Sequence, residues 1–386
     1  MKFFTFHHIT YSVLLLLPLA GFAQTPSGTN TNGSNTSAIP VQVPFLNIAP
    51  DSRSGAMGEA GVAISPDVNA NFWNPSKLAF LESNDALSVS YSPWLRHLVP
   101  DISLSYLSYA HKLSDRNTFG ASLRYFNYGS TQLTDNTAND LGTYTPNEFS
   151  LDATFARKFG ENFSLGLTMR YIHSSISSIS FSQGTGQVDK AGNAVAADVS
   201  LYYKAPYGND NLFAFGAHIS NIGSKISYSD VQPSYFLPAN LKIGAANTWN
   251  LDDVNQLTVT VDLNKLLVPT GRDSTGVITD VSVPSGIFRS FTDARGGFSE
   301  ELKEISISPG IEYWYNQQFA LRAGYFYENP SKGDRHYLTL GFGMKYDIFN
   351  FDFSYLAASQ QSSALANTLR FTLSANFGGT TNASKR

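Results

Sequence analysis

Chemistry needs reactive side chains at workable spacing, and this chain offers few. Past the N-terminal apolar run there are five histidines: His97, His111, His173, His218 and His336. None stands in an HxxxH or HxH pair, the spacings that bring two imidazoles to one face of a helix or strand for a metal. There is no cysteine, which removes disulfides, thiolate catalysis and Cys-ligated metals. No Gly-x-Ser-x-Gly elbow and no Gly-rich phosphate loop is present. No metal and no cofactor is therefore expected. Ser, His and Asp from separate strands could still meet in space, so an enzyme acting on lipopolysaccharide remains an open reading.

Residues suited to binding are more plentiful. Three stretches that read as loops carry apolar side chains: Trp94, Leu95 and Leu98; Tyr235, Phe236 and Leu237 with Pro238; and Ile287, Phe288, Phe291 and Phe298 beside Arg289 and Asp293. Apolar groups on segments meant to face water mark a binding surface. They could equally pack on one another and cap the fold.

A third cluster is built for close packing. Asp51-x-Arg53-x-Gly55-x-Met57-Gly58-x-Ala60-Gly61-Val62-Ala63 is rich in small residues. It is followed by Asp67 and Phe72-Trp73-Asn74-Pro75. Ser65-Pro66 reads as a helix start, with Ser65 as N-cap and Pro66 at the first helical position. Asn74-Pro75 ends that helix and can begin another.

The elements that position these residues are strands. From Ala86 to Phe377 about fourteen segments of roughly ten residues alternate apolar and polar side chains, the period-two pattern of a strand with one greasy and one wet face. Among the cleanest, Phe149, Leu151, Ala153 and Phe155 oppose Ser150, Asp152 and Thr154, and Leu338, Leu340, Phe342 and Met344 oppose Thr339, Gly341, Gly343 and Lys345. The polar series carries Arg124, Asp152, Arg170, Asp198, Lys242, Asp262, Arg322, Lys345, Asp352 and Arg370, which should pair with one another or with whatever fills the interior. Short turns near 114–116, 160–162, 207–209, 252–253, 316–317 and 347–350 alternate with long connections at 129–147, 174–193, 220–240 and 265–303. An even strand count with that asymmetry predicts an antiparallel outer-membrane β-barrel, long loops extracellular and both termini periplasmic. A barrel this wide needs filling.

Composition agrees. The chain has 28 Phe, 20 Tyr and 30 Gly but only 15% charged residues, suiting interface girdles and a lipid face. The net charge of −4 with no basic patch argues against a nucleic-acid partner. The expected organisation is a signal peptide over 1–23, with Tyr11 to Leu19 as its apolar run and a cut after Ala23. A flexible Thr/Ser/Asn/Gly-rich arm over 24–48 follows, then a lumenal plug over 49–82, the barrel over 83–378 and a tail over 379–386. Ser306-x-Ser308-Pro309-Gly310 is a place where a strand could kink or bulge.

The Asp51-x-Arg53-x-Gly55-x-Met57-Gly58 opening and the Phe72-Trp73-Asn74-Pro75 continuation resemble the amino-terminal hatch of the FadL family of fourteen-stranded outer-membrane barrels. Asn74-Pro75-Ser76 departs slightly from the family's Asn-Pro-Ala. Within that family the chain looks most like the branch that serves type IX secretion in Bacteroidetes, with a sister branch of the same architecture. The resemblance implies a carrier rather than an enzyme. Its partners would be the giant translocon barrel, the carboxy-terminal signal domain of secreted cargo, a surface sortase or attachment complex, and outer-membrane lipid. The rival reading is a transporter of small hydrophobic molecules, with a greasy lumen and a mobile hatch. The plug residues singled out are Asp51, Arg53, Gly55, Met57, Gly58, Asn74 and Pro75; the partner-binding residues are Trp94, Leu95, Tyr235, Phe236, Leu237, Ile287, Phe288 and Phe291.

Overall fold

A computed structural model describes residues 39, 41–94, 101–134, 140–176, 190–208, 210–228, 234–270, 281–294, 296–358 and 368–378. The signal-peptide and tail expectations, His97, Leu95 and Leu98 lie outside these residues.

Among the described residues sixteen strands form in chain order: β1 (Asp85–Pro93), β2 (Ile102–Lys112), β3 (Asn117–Tyr128), β4 (Thr131–Thr134), β5 (Asp140–Tyr144), β6 (Asn147–Lys158), β7 (Phe163–Ser174), β8 (Gly192–Tyr207), β9 (Asn211–Gly223), β10 (Asn240–Asn250), β11 (Asn255–Leu266), β12 (Ile305–Tyr315), β13 (Phe319–Tyr327), β14 (His336–Tyr346), β15 (Phe349–Ala358) and β16 (Thr368–Phe377). Fourteen of them close an antiparallel barrel, sealed where β1 pairs with β16 from Asp85↔Phe377 to Tyr91↔Phe371. The other two, β4 and β5, form a hairpin in the connection from β3 to β6. Closure satisfies the edge groups that an open sheet would leave bare in lipid.

The alternation read from the sequence is the barrel's inside and outside. On β6, Leu151 and Phe155 face outward while Ser150, Asp152 and Thr154 are buried. On β7, Met169 is 69% exposed beside a buried Arg170. Lys345 departs from this pattern: it sits at the exposed end of β14, beside the Asp347 turn, rather than in the interior.

Pro309 does not bulge the wall, although the β12–β13 ladder carries no pair at Ser308 or Pro309. The β12–β13 register is the same on both sides of it, Ile307↔Tyr327 and Gly310↔Gly324, and the β11–β12 ladder runs through Pro309↔Val261 without interruption. With no N–H to donate, Pro309 removes a rung without shifting the register. Among the described barrel strands a bulge lies on β9, where Ser220 and Asn221 stand opposite the single Asp198 of β8. There Asn221 adopts φ +60, and its backbone N–H donates to Asp198 Oδ1 at 2.8 Å.

The interior is filled by the segment that precedes β1. Ile39 and Val41 pack against Phe236, Val268 and Val281 at the long-loop end. Val43, Phe45 and Leu46 are buried against Ile102, Phe126 and Ile172, so the flexible arm expected to run to 48 is already packed at 43. The chain continues through two short helices, α1 (Ser52–Gly55) and α2 (Ala70–Trp73). A 3₁₀ turn over Pro75–Phe80 then reaches the short-turn end, where Leu78 and Ala79 join Ala86, Ala110 and Ala156. Ile39 and Val41 therefore lie at the long-loop end, and the last strand finishes at the short-turn end.

Candidate functional site

The inner segment is held by polar contacts to most of the barrel's circumference. Asp51 caps α1, accepting from Ser54 N–H at 3.1 Å, and its other oxygen accepts from Trp73 Nε1. Burial pushes the Asp51 carboxyl up to about 6, helped by the nearby charge of Asp67 and opposed by the Trp73 and Ser54 hydrogen bonds.

Arg53 is the central tie. Its Nε donates to Glu312 Oε2 at 2.9 Å and its Nη2 to Glu312 Oε1 at 2.8 Å, a bidentate pair with β12. Its Nη1 reaches Asp67 at 2.9 Å, and Nη2 also donates to Ser65 Oγ at 2.6 Å. Glu312 accepts in addition from Arg322 Nε at 2.7 Å, and Arg322 Nη1 donates to Asp352 at 2.7 Å. Burial works against the charge of Arg53, but the Glu312 carboxylate outweighs it and holds the guanidinium well above its ordinary value.

This network explains a missed helix. Ser65 does not cap: Ser65, Pro66 and Asp67 are irregular, and the helix starts later, at Ala70. Arg53 captures the Ser65 hydroxyl and the Asp67 carboxylate, the groups that local capping would have used.

The rest of the motif meets the wall one contact at a time. Gly58 N–H donates to Thr339 Oγ1 at 2.8 Å, and Thr339 Oγ1 donates to Ala56 O at 2.9 Å. Ser52 N–H reaches Thr372 Oγ1 at 2.9 Å. Gly61 and Val62 N–H both donate to Asp262 Oδ2, at 2.7 and 2.9 Å. Asn74 Nδ2 bridges Val62 O and Leu201 O, each at 3.0 Å, tying Asn74-Pro75 to β8. Lys77 Nζ donates to Gly61 O at 2.6 Å and Ile64 O at 3.2 Å, and burial pushes its pKa down to about 8.

Gly58 and Gly324 let the backbones touch. Gly58 has φ +68, and a Cβ there would lie 2.5 Å from the Tyr325 carbonyl oxygen. A Cβ on Gly324 would lie 2.0 Å from the Met57 carbonyl carbon. Gly55 packs under the Arg370 guanidinium, which donates to Glu59 at 3.1 Å. Sequence reading missed Glu312, Thr339, Thr372 and Lys77 as anchors. Glu312 had one usable signal: it stands two residues beyond Gly310 and four beyond Ser308 on the inward face of its strand.

The apolar loop residues divide into three groups. Phe236 and Leu237 are buried, 5% and 3% exposed, and Trp94 packs against Phe126, so these do not form an open surface. Tyr235 and Ile287 are half-buried. Phe288, Phe291, Phe298 and Leu302 face solvent on and beside α3 (Val283–Arg289) and α4 (Phe298–Lys303). Five side chains tie the α4 segment to the barrel rim. Lys265 Nζ meets Glu301 at 2.9 Å and Glu304 at 2.6 Å, and Lys332 Nζ meets Glu300 at 2.6 Å and Glu304 at 3.0 Å. The exposed aromatics thus ride on an anchored support. Among the described residues no three His, Asp or Glu side chains gather as metal ligands.

The family described as "Type IX secretion system protein PorV" matches residues 31–273. Among solved structures, the toluene transporter TodX of P. putida superposes with a TM-score of 0.50 at 12% identity, covering 86% of this chain and 99% of that one. The monoaromatic hydrocarbon channel CymD gives 0.49 at 12%, covering 85% and 98%. A FadL homologue of Pseudomonas aeruginosa gives 0.43 at 13%, covering 86% and 99%. At these identities the likeness is one of fold. No curated protein matches the chain.

Proposed function

The chain belongs to the PorV family of type IX secretion system proteins, a non-enzymatic outer-membrane barrel family, and on that premise we propose that it is a cargo shuttle of the secretion machinery. In this reading the barrel docks on the large translocon barrel and binds the carboxy-terminal signal domain of emerging cargo. It then passes the cargo to the cell-surface attachment or sortase complex. The long loops face the outside of the cell.

The observation that carries the reading is the filled interior. Residues 43–81 occupy the interior, meeting inward Ser, Thr, Asp, Glu and Arg side chains along much of the wall and the apolar Ile102, Phe126 and Ile172 only beside Val43, Phe45 and Leu46. A transporter of small hydrophobic molecules needs an apolar lumenal path instead. The exposed aromatics of α3 and α4 supply a second feature suited to a carrier, since they offer apolar area where a partner domain can be gripped.

The test is a gentle detergent extraction of the tagged protein from its own outer membrane, followed by mass spectrometry of what accompanies it. Co-recovery of a very large barrel, or of secreted proteins still carrying a shared carboxy-terminal domain, is the expected result. A solitary barrel bringing only lipids or fatty acids overturns the reading and favours the transporter.

A further inference from the structure

Two different chemistries seat the inner segment. From Ser52 onward its ties to the wall are polar, as in Arg53 to Glu312, Gly61 and Val62 to Asp262, and Asn74 to Leu201. The stretch before it, residues 41–48, lies on an apolar bed. Val43, Phe45 and Leu46 are buried against Ile102 of β2, Phe126 of β3, Ile172 of β7 and Ala194 of β8, with Leu237 closing over them. These wall residues stand at inward positions near the long-loop ends of their strands.

This stretch is lightly tied. Among the described residues it makes two hydrogen bonds to the rest of the chain. Gln42 N–H donates to Phe236 O at 3.2 Å, and Arg124 Nη1 donates to Leu46 O at 2.6 Å. Its remaining bonds are internal, Leu46 N–H to Val43 O and Ile48 N–H to Phe45 O. Val43 is also strained. It is fully buried at φ +57 and ψ +48, the left-handed region that a β-branched side chain avoids. Strain of this kind collects in segments that switch.

The bed is built to read a main chain. At one end the Phe236 carbonyl accepts an N–H, and at the other the Arg124 guanidinium donates to a carbonyl. Apolar surface lies between them. A hydrocarbon can use neither end, whereas a peptide uses both. Capacity is left over as well. Arg124 Nε, and Ser150 Oγ opposite it on β6, are buried and make no hydrogen bond among the described residues, while Arg124 Nη2 stands 3.8 Å from Asp152. An incoming segment can therefore gain contacts that residues 41–48 do not make.

We propose that this bed is a peptide-binding site. It takes a short apolar segment of a partner chain, and residues 41–48 are the internal occupant which that segment displaces. Displacement leaves the part anchored by Arg53, Asp262 and Asn74 in place, so the lumen stays filled. The site is separate from the exposed aromatics of α3 and α4 and stands whether or not those grip cargo.

The test uses the full native chain in detergent and a synthetic copy of residues 41–48, with photoreactive benzoylphenylalanine in place of Phe45. At about 1 mM, the scale on which a tethered segment competes for its own site, the peptide should cross-link to the inner wall around Phe126 and Ile172, mapped by mass spectrometry. A copy carrying Val43→Ser and Leu46→Ser should cross-link about tenfold less. No cross-link at that wall, or equal yields from the two copies, overturns the proposal. Competition by toluene or a long-chain fatty acid, but not by unlabelled peptide, also overturns it and assigns the bed to hydrocarbons. The chain has no cysteine, so single introduced thiols report displacement directly. Phe45→Cys should react with a maleimide about tenfold faster than Met57→Cys, although both native side chains are fully buried. Added peptide should raise the first rate and leave the second unchanged. Equal rates with and without peptide count against displacement. If Phe45→Cys fails to fold, the cross-link map on the native chain decides.

Discussion

The Arg53 guanidinium of the inner segment lies flat against the Glu312 carboxylate of β12, with two parallel hydrogen bonds of 2.9 and 2.8 Å and almost no water at either group. A buried pair of this kind costs most when one member is removed, because the other is left charged and unpaired. Arg53→Ala should therefore destabilise the barrel by about 3–5 kcal/mol, read as a lower urea midpoint in detergent. Replacing both members, Arg53→Met with Glu312→Met, should restore much of the loss, since Arg322 keeps Asp352 as its partner. A double variant no better than the single one would show that the pair is not the source of the effect.

Gly58→Ala should also weaken the seat of the inner segment. Its φ of +68 costs an L-residue about 1–2 kcal/mol, and the added carbon would meet the Tyr325 carbonyl at 2.5 Å. Gly160→Ala serves as the comparison, because it combines φ +102 with nothing within 4 Å. Protease nicking between residues 43 and 81 should rise in Gly58→Ala and stay at the native level in Gly160→Ala. Equal nicking in the two would point to backbone strain alone.

Acid should favour the seated segment through Asp51. Its carboxyl is raised to about 6, first by burial. Between pH 4 and 6 the folded chain therefore holds a proton that the unfolded chain has released. The stability from this group is complete below the unfolded value and is lost as pH rises through 6, at about 1.4 kcal/mol per pKa unit. Asp51→Asn removes this titration. The stability of the native chain relative to that variant should fall from pH 4 to pH 7, measured by denaturant unfolding at each pH. A flat difference would remove Asp51 from the account.

The exposed aromatics of α3 and α4 make a separable prediction. Phe288→Ser with Phe298→Ser touches nothing in the core, so stability should change by no more than about 0.5 kcal/mol for each substitution. If these side chains grip cargo, its co-purification should drop about tenfold, the scale of one interface anchor. Undiminished cargo recovery from a well-folded variant would move the binding surface elsewhere.

How much of this was legible in the sequence depended on whether the controlling force was local. The strands were legible because lipid outside and a polar interior impose a period of two directly on residues such as Leu151 and Asp152. Lys345 escaped the pattern because it lies at the rim, where alternation no longer separates two solvents. The Ser65 cap failed for a different reason: its hydroxyl is taken by Arg53, twelve residues away and in another turn. Glu312 was hidden beside Tyr313-Trp314-Tyr315, whose aromatic run obscures the inward face. Val43, Phe45 and Leu46 were absorbed into a polar stretch that precedes them. Phe236 and Phe288 look alike in sequence, yet one is buried and the other bare, because only the third dimension shows which loop covers which.

The inner segment passes from the long-loop end to the short-turn end and finishes where β1 begins. The wall glycines at 166, 216, 310, 324 and 341 leave gaps shaped to Ser76, Asn74, Met57 and Ala56. Wall and segment therefore form one packing unit, in which a side chain added to either surface collides with the other. The molecule then behaves less like a pipe fitted with a stopper than like a sleeve cut to the shape of its own core.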